Sequence, residues 1–332
     1  MTLTQLRYIV AIADSGLNIT LAAERIHATQ PGVSKQLKQL EGELGFQLFA
    51  RKGKSLSSIT PAGQQVVTRA RAILEQSRSI RSLAANLRGD VHGELTLLTT
   101  HTQARFVLPA AIATFRKRHP LVSLHLRPHG DAQVQSLFAN GQADLAIISS
   151  SGRVPLGGLA VPLYHWRRTV VVPRKHPLAT LNRRLRLGDL AGQPLVSYDS
   201  SLRPESSLRQ AFLNAGLQPR FACTSSDADL IKTYVRAGLG VGILAEMAMR
   251  GDDNRDLKVL DASHLLPNCT TWLVLRRDRV LRSYTLDLVE QFAPHLDRRD
   301  LQAALNGDAD PEWPTPPGWH DLKSEFPETL TV

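Results

Sequence analysis

Residues 18–49, NITLAAERIHATQPGVSKQLKQLEGELGFQLF, decide the fold of the first part of this chain. Asn18 is a residue type that caps helices, and Thr29 precedes a second helical pattern after a short turn. Pro31 lies in the first turn of that second helix, where its missing N–H costs nothing. Gly45 is suited to end the helix. The stretch therefore predicts a helix-turn-helix.

The second of these helices has two different faces. Its apolar face repeats every three or four residues and comprises Val33, Leu37, Leu40 and Leu44. The first helix has its apolar positions at Leu21, Ala22 and Ile26. The remaining face of the second helix carries Gln30, Pro31, Ser34, Lys35 and Lys38. Such side chains can reach base edges and phosphates from a major groove, whereas an αα-hairpin inside a larger helical domain is the alternative.

Features next to the helix pair favour DNA as the partner. Residues 49–54, FARKGK, form a basic loop before 56–59, which predicts a two-stranded wing along the DNA backbone. The basic residues of this wing are Arg51, Lys52 and Lys54. Residues 1–90 hold 12 Lys and Arg against 6 Asp and Glu, while the rest of the chain holds 28 against 24. The positive charge is thus concentrated where phosphates would lie, and double-stranded DNA is the predicted partner.

A long amphipathic helix follows, over residues 61–88, and Thr60 and Pro61 are suited to start it. A small domain offers too little core to cover the whole apolar stripe of so long a helix. A two-helix coil with a second copy of the chain would cover it, and a homodimer is therefore predicted. The alternative is packing on its own domain. In a dimer, two recognition helices could read half-sites about 34 Å apart.

Composition restricts the function classes. The chain has 332 residues, enough for two or three domains, and its net charge of +10 favours a polyanionic partner. The first residues resemble no signal peptide, and no run approaches the ~18 apolar residues of a membrane span, so a cytoplasmic protein without membrane contact is expected. Two cysteines, Cys223 and Cys269, are too few for a tetrahedral zinc site. No metal and no cofactor are expected.

Beyond a short glycine-containing hinge, strands alternate with helices. This pattern predicts a mostly parallel sheet with helices on both faces, in two α/β lobes that the chain crosses twice, with a ligand cleft between them. The predicted parts are a DNA-binding domain (1–60), a linker helix (61–88), a hinge (89–93), an effector domain (94–305) with lobe I (about 94–163 and 268–300) and lobe II (about 164–267), and a disordered tail (306–332).

Residues 99–105, TTHTQAR, lie between a predicted strand and helix and contain the most informative chemistry of this half. Thr100, Thr102 and Gln103 place neutral donors beside the free N–H groups of the helix start. That arrangement suits a small anion and needs no lysine, although one threonine could simply cap the helix. Arg105 could face the ligand or pair with an acid.

Enzymatic motifs are missing from the sequence. Gly238 to Gly242 lie between a helix and a strand, the reverse of a dinucleotide fingerprint, and are better explained as a helix end with a tight turn. The sequence contains no GxSxG, HExxH, CxxC or P-loop pattern. A small-anion transferase is therefore a remote alternative, and a solute-binding protein would require export.

The chain resembles the LysR-type transcriptional regulators. The resemblance rests on residues 29–37, TQPGVSKQL, on residues 48–51, LFAR, and on residues 60–63, TPAG, within a match that extends from 6 to 63. Residues 99–105, YHW at 164–166 and IKTYVR at 231–236 resemble its CysB-like branch, the cysteine-regulon regulators. The resemblance implies a winged helix-turn-helix, a linker-helix dimer, a two-lobed domain like periplasmic binding proteins, and a homotetramer that works with RNA polymerase.

This branch implies control of sulfur-assimilation and cysteine-biosynthesis genes. It also implies that an acetylserine is the inducer and that sulfate or a related sulfur anion can occupy the cleft. Carried over by position, the effector-binding residues would be Thr100, Thr102, Gln103, Ser149 and Trp166. Ser149 stands where the branch usually has threonine and keeps the hydroxyl.

One segment departs from the branch. Residues 199–205, DSSLRPE, replace a loop rich in Thr, Gly and Phe, and a cleft threonine expected near 202–203 is missing. Arg203 stands there instead. An arginine can bind a carboxylate or sulfonate through two hydrogen bonds, which makes an organosulfur effector the alternative, or it can point to solvent.

Overall fold

A computed structural model describes residues 1–53, 55–307 and 312–323 of the chain, with the side chain of Lys323 left out. Two compact units are present. The first comprises Met1–Asp90 and Asp278–Arg282; the second comprises Val91–Arg277 and the described residues from Ser283 onward. Within these ranges, no helix is both long enough and apolar enough to cross a membrane.

The first unit is a winged helix-turn-helix followed by a long helix. Its elements are α1 (Leu3–Asp14), α2 (Ile19–Arg25), α3 (Gln30–Leu44), β1 (Phe49–Lys52), β2 (Ser55–Ile59) and α4 (Pro61–Leu87). The strands β1 and β2 pair antiparallel, as the predicted wing requires. Residue Gly63 lets α4 approach the wing, because a Cβ there would lie 1.9 Å from the carbonyl oxygen of Leu48.

Apolar side chains of α1, α3 and α4 form one core in this unit. Val33, Leu37 and Leu40 are fully buried, as the periodicity of α3 predicts. Of the apolar positions expected for α2, Ala22 is buried, together with Ala23, whereas the side chain of Leu21 is 39% exposed. The helix α2 has only seven residues, so its buried stripe is short.

The two halves of α4 differ in their surroundings. Its first half belongs to the core of the unit through Val67, Ala70 and Leu74. Further on, Glu75 accepts hydrogen bonds from Arg279, and the segment 278–282 packs beside the helix. The apolar side chains that α4 leaves exposed are Ile73, Ile80, Leu83 and Leu87.

The second unit contains two five-stranded sheets. The strands are β3 (Gly93–Thr99), β4 (Val122–Pro128), β5 (Leu145–Ser150), β6 (Leu159–Trp166), β7 (Arg168–Pro173), β8 (Pro194–Tyr198), β9 (Arg220–Ser225), β10 (Val241–Ala245), β11 (Leu257–Leu260) and β12 (Cys269–Leu275). The helices are α5 (His101–Phe106), α6 (Leu108–Arg118), α7 (Asp131–Ala139), α8 (Leu187–Ala191), α9 (Ser207–Asn214), α10 (Ala228–Arg236), α11 (Ser283–Phe292), α12 (Arg298–Asn306) and α13 (Trp319–Lys323).

Each sheet is the centre of one lobe. Lobe I has the strand order β4-β3-β5-β12-β6, and lobe II has the order β11-β7-β10-β8-β9. The chain crosses from lobe I to lobe II between β6 and β7 and returns between β11 and β12. The expectation of mostly parallel sheets is wrong. In lobe I, β12 runs antiparallel to both neighbours, and in lobe II, β7 does the same, because both returning strands enter from the opposite lobe.

The C-terminal part differs from the predicted disordered tail. The helix α12 reaches Asn306, and residues 312–323 lie on lobe I, with Trp319 and Leu322 buried. Residues 308–311 and 324–332 of the predicted tail lie outside the described residues. Aromatic side chains give residues 312–323 enough apolar surface to pack, a signal that their proline content hid.

Candidate functional site

Both helices of the helix-turn-helix, α2 and α3, begin at a local cap. The side chain of Asn18 accepts a hydrogen bond from Leu21 N at 3.0 Å, and that of Thr29 accepts one from Gly32 N at 3.3 Å. Gly45 ends α3 in the left-handed conformation, with φ of 78°. The predicted helix boundaries are therefore confirmed, and the caps fix which side chains α3 turns outward.

The predicted DNA-contacting side chains of α3 share its outer face. Gln30, Pro31, Lys35 and Lys38 are exposed and Ser34 is half-buried. They lie opposite the buried row of Val33, Leu37 and Leu40. A major groove admits a helix of this kind with the donors and cations directed at bases and phosphates.

The wing is tied to α3 through a buried carboxylate. Glu41 accepts hydrogen bonds from Leu48 N at 2.9 Å and Phe49 N at 3.3 Å, and it pairs with Arg51 at 3.4 Å. Arg51 is half-buried in this pair, while Lys52 is exposed. Lys54, the third predicted basic residue of the wing, lies outside the described residues.

In the second unit, a cavity of about 750 Å³ lies between the two lobes. It is lined by all the side chains that the sequence assigned to effector binding: Thr100, Thr102, Gln103, Ser149, Trp166 and Arg203. They come from β5, α5 and its N-cap, the end of β6, and the loop after β8. The fold thus brings four distant segments of chain to one place.

Gln103 forms the floor of the cavity on the lobe I side. Its Nε2 donates to Ser149 Oγ at 3.4 Å and to Thr271 Oγ1 at 3.3 Å, and its Oε1 accepts from the Tyr164 hydroxyl. Gln103 is 1% exposed. Because its amide is engaged within the protein, Gln103 holds the hydroxyls of Ser149 and Thr271 in a fixed, neutral hydrogen-bonding surface.

The two threonines of the segment have different roles. Thr100 caps α5, since its Oγ1 accepts from Gln103 N at 3.4 Å. Thr102 connects the lobes, because its Oγ1 donates to the hydroxyl of Tyr198 at 3.2 Å, and Tyr198 also accepts from Ala245 N at 3.2 Å. Burial raises the pKa of Tyr198 to about 12, although the Thr102 hydrogen bond lowers it, so the phenol stays neutral.

Trp166 and Arg168 lie where the chain crosses between the lobes. The Trp166 indole is buried, and its Nε1 finds no hydrogen-bond partner among the described residues. Arg168 places its guanidinium 5.9 Å from the Trp166 ring centre and donates to Pro267 O at 3.2 Å. A buried donor without a partner is costly, so an acceptor of a bound ligand would satisfy it.

Arg203 reaches the cavity from the loop after β8. Within the described part of the chain, its guanidinium forms no ion pair within 4 Å and no hydrogen bond. Burial raises the pKa of the Asp131 carboxyl on the opposite wall, and the Arg203 guanidinium and the Ser200 hydroxyl offset only part of that rise. Arg203 is therefore a cation available to a ligand.

The structure distinguishes between the alternatives that the sequence left open for Arg105 and for the glycine run 238–242. Arg105 lies outside the cavity lining and pairs with Asp229 at 2.5 Å, so it takes the second of its two predicted roles. Gly238 and Gly240 have positive φ after α10, and a Cβ on Gly240 would lie 2.0 Å from the carbonyl oxygen of Pro194. The glycine run is thus a helix end and tight turn, as predicted.

Sequence reasoning missed several residues of the cavity. These are Asp131, Arg168, Tyr198 and Ser200, which line it, and Thr271, which bonds to its floor. Tyr198 ends a predicted strand and Asp131 starts a predicted helix, the positions where ligands collect in α/β folds. Their residue types alone gave no signal. No group of three or more described His, Cys, Asp or Glu residues could hold a metal ion.

The fold and cavity define a DNA-binding regulator with an effector domain. Residues 88–297 match the family described as LysR substrate binding domain, and residues 3–64 match the bacterial regulatory helix-turn-helix proteins of the lysR family. The chain therefore belongs to the LysR family of transcriptional regulators, which is not an enzyme family.

Individual relatives extend this similarity. Over 304 residues, 42% are identical to the HTH-type transcriptional regulator CysB of Haemophilus influenzae, covering 92% of this chain and 94% of that protein. The cofactor-binding domain of the Cbl transcriptional regulator is similar with a TM-score of 0.60 and 34% identity, over 65% of this chain and 94% of that one. Full-length CbnR complexed with its target DNA has a TM-score of 0.56 and 26% identity, over 88% and 99%.

Proposed function

We propose that this regulator controls genes of sulfur assimilation and cysteine biosynthesis in the cytoplasm, and that a sulfate-like anion or an acetylserine binds between its lobes. The observation that carries the proposal is the cavity, where the five residues assigned from the CysB-like resemblance meet Arg203. Its floor is neutral and rich in hydroxyls, which suits an anion with several acceptor oxygens.

A sulfonate or another organosulfur compound is the second candidate effector. Arg203 favours it, because a guanidinium on the cavity wall can donate two parallel hydrogen bonds to a sulfonate or carboxylate. The rest of such a ligand would need the apolar part of the lining, such as Val154 and Leu156.

Effector binding would act through the relative position of the two lobes. Thr102 of lobe I and Tyr198 of lobe II already share a hydrogen bond at the cavity. A ligand that contacts both walls binds one lobe arrangement more tightly than another and shifts the population toward it. In an assembly of several copies, that shift would change how the DNA-binding domains are spaced.

The assembly we propose is a homodimer through α4, paired further into a homotetramer that acts on RNA polymerase at a promoter. Ile73, Ile80 and Leu87 recur every seven residues on α4 and are 41%, 69% and 81% exposed. This spacing is the seam of a two-helix coil. Sedimentation of the full chain tests it: changing Ile80 and Leu87 to Ser should yield monomers.

Calorimetric titration of the full-length protein tests the effector. Sulfate, thiosulfate, O-acetylserine, N-acetylserine and an alkyl sulfonate are compared for the wild type, Thr102→Ala and Thr114→Ala. Thr114 is an exposed threonine of α6 that provides the matched control. We expect Thr102→Ala to weaken the response and Thr114→Ala to leave it unchanged. Binding of the sulfonate alone would overturn the sulfur-assimilation assignment in favour of the second candidate.

A further inference from the structure

The C-terminal segment 312–323 lies along the outer strand of lobe I. Trp313 Nε1 donates to Ala160 O at 2.9 Å, and His165 N donates to Pro317 O at 2.9 Å. Gly318 adds a parallel bridge to His165. The segment therefore covers an edge strand whose backbone groups would otherwise be unpaired.

Trp319 of this segment packs behind the cavity floor. Its ring centre lies 5.5 Å from that of Tyr164, and both side chains are buried. The Tyr164 hydroxyl donates to Gln103 Oε1. Burial raises the pKa of Tyr164, so the hydroxyl keeps its proton and remains a donor. A continuous path of contacts thus leads from Trp319 through Tyr164 to Gln103.

The same segment also reaches the crossing between the lobes. His320 Nε2 lies 2.7 Å from Glu246 Oε2, and Glu246 Oε1 accepts from Arg167 N at 2.7 Å. Arg167 is the residue between β6 and β7. Glu246 follows β10 of lobe II, so the segment contacts both lobes beside their connection.

We propose that Trp319 is a positioning residue of the effector cavity, which fixes Gln103 by packing against Tyr164. This inference rests on the proposed function of the cavity as the effector site. Without the indole, the Tyr164 ring gains freedom, the hydrogen bond to Gln103 loosens, and the hydroxyls of Ser149 and Thr271 lose their fixed orientation. A ligand must then reorder them when it binds, which costs affinity.

Four full-length variants test the positioning role. Trp319→Ala removes the indole, Trp319→Phe keeps an aromatic ring, and Tyr164→Phe removes only the hydroxyl. Trp313→Phe is the matched control, because the Trp313 indole bonds to Ala160 of the same strand, whereas the aromatic ring that stacks near Tyr164 is that of Trp319. The measurements are hydrogen–deuterium exchange of residues 99–106 in the ligand-free protein, calorimetric binding of sulfate, and thermal unfolding.

We expect Trp319→Ala to speed exchange in residues 99–106 and to weaken sulfate binding by about tenfold, with Tyr164→Phe acting in the same direction. Trp319→Phe should restore most of the effect, and Trp313→Phe should change neither. Unchanged exchange in Trp319→Ala, or an equal change in Trp313→Phe, would overturn the positioning role. A wild-type protein that ignores sulfate refutes that ligand, while the exchange comparison still decides the inference.

Discussion

Replacing Lys35 with Ala should weaken DNA binding in a salt-dependent way. Lys35 is exposed on the face of α3 opposite its buried row, and it makes no hydrogen bond or ion pair with another described residue. The substitution therefore leaves the fold intact and removes one cation from the surface predicted to meet phosphates. Because alanine is a good helix former, α3 itself should persist.

The expected size follows from counterion release. Each phosphate neutralised on duplex DNA contributes about 0.9 to the slope of log affinity against log salt. For one proposed dimer with both copies bound, the variant loses two contacts, and its slope should be shallower by about 1.8. The affinity deficit of the variant should then shrink about twelvefold between about 50 mM and about 200 mM salt.

Fluorescence anisotropy with a mixed-sequence duplex measures this slope across a salt series. Lys117→Ala is the matched control, since Lys117 is also an exposed lysine and lies on α6 of the effector domain. Its slope should equal that of the wild type. If Lys35→Ala and the wild type share one slope, α3 does not present Lys35 to phosphates, and the assignment of the recognition helix is wrong.

Three further substitutions probe the fold and the cavity. Lys232→Met should lower the free energy of unfolding in urea by about 3 kcal/mol, because Asp253, at 2.7 Å from Lys232, keeps a buried carboxylate with one cation fewer. Gly63→Ala should lower the melting temperature of the DNA-binding domain, since its Cβ would overlap the Leu48 carbonyl; an unchanged melting temperature contradicts the contact. Burial raises the pKa of Tyr198 to about 12 in the folded protein, so the free energy of unfolding should fall as the pH rises from about 10 toward 12. Urea titrations at each pH measure this fall, and Tyr198→Phe should reduce it.

The DNA-binding half could be predicted well because its signals are local. Caps at Asn18 and Thr29 and the stop at Gly45 each act within a few residues, and all three occur in the structure. The exposure of Leu21 could not be foreseen, since it depends on how α2 meets the other helices. Its apolar side chain is exposed although the spacing favoured the core.

The cavity was predicted only in part. Thr100, Thr102 and Gln103 are neighbours in the chain, so a pattern could reveal them. Asp131 and Thr271 approach the same site only through the sheet order, and no local pattern connects them. Gln103 was expected to serve a ligand directly, whereas its amide is engaged by Ser149, Thr271 and Tyr164.

Short-range chemistry in the chain was sufficient for the winged helix-turn-helix, the concentration of positive charge on it, and the alternating strands and helices of the effector domain. Each follows from caps, periodicity or charge within a few turns of backbone. Packing alone decided that β7 and β12, the first strand after each crossing, run antiparallel to their neighbours. It also decided that Tyr198 joins the lobes and that Trp319 lies behind the cavity. Those contacts join residues roughly 70 or more positions apart, and only burial of the shared core brings such residues together.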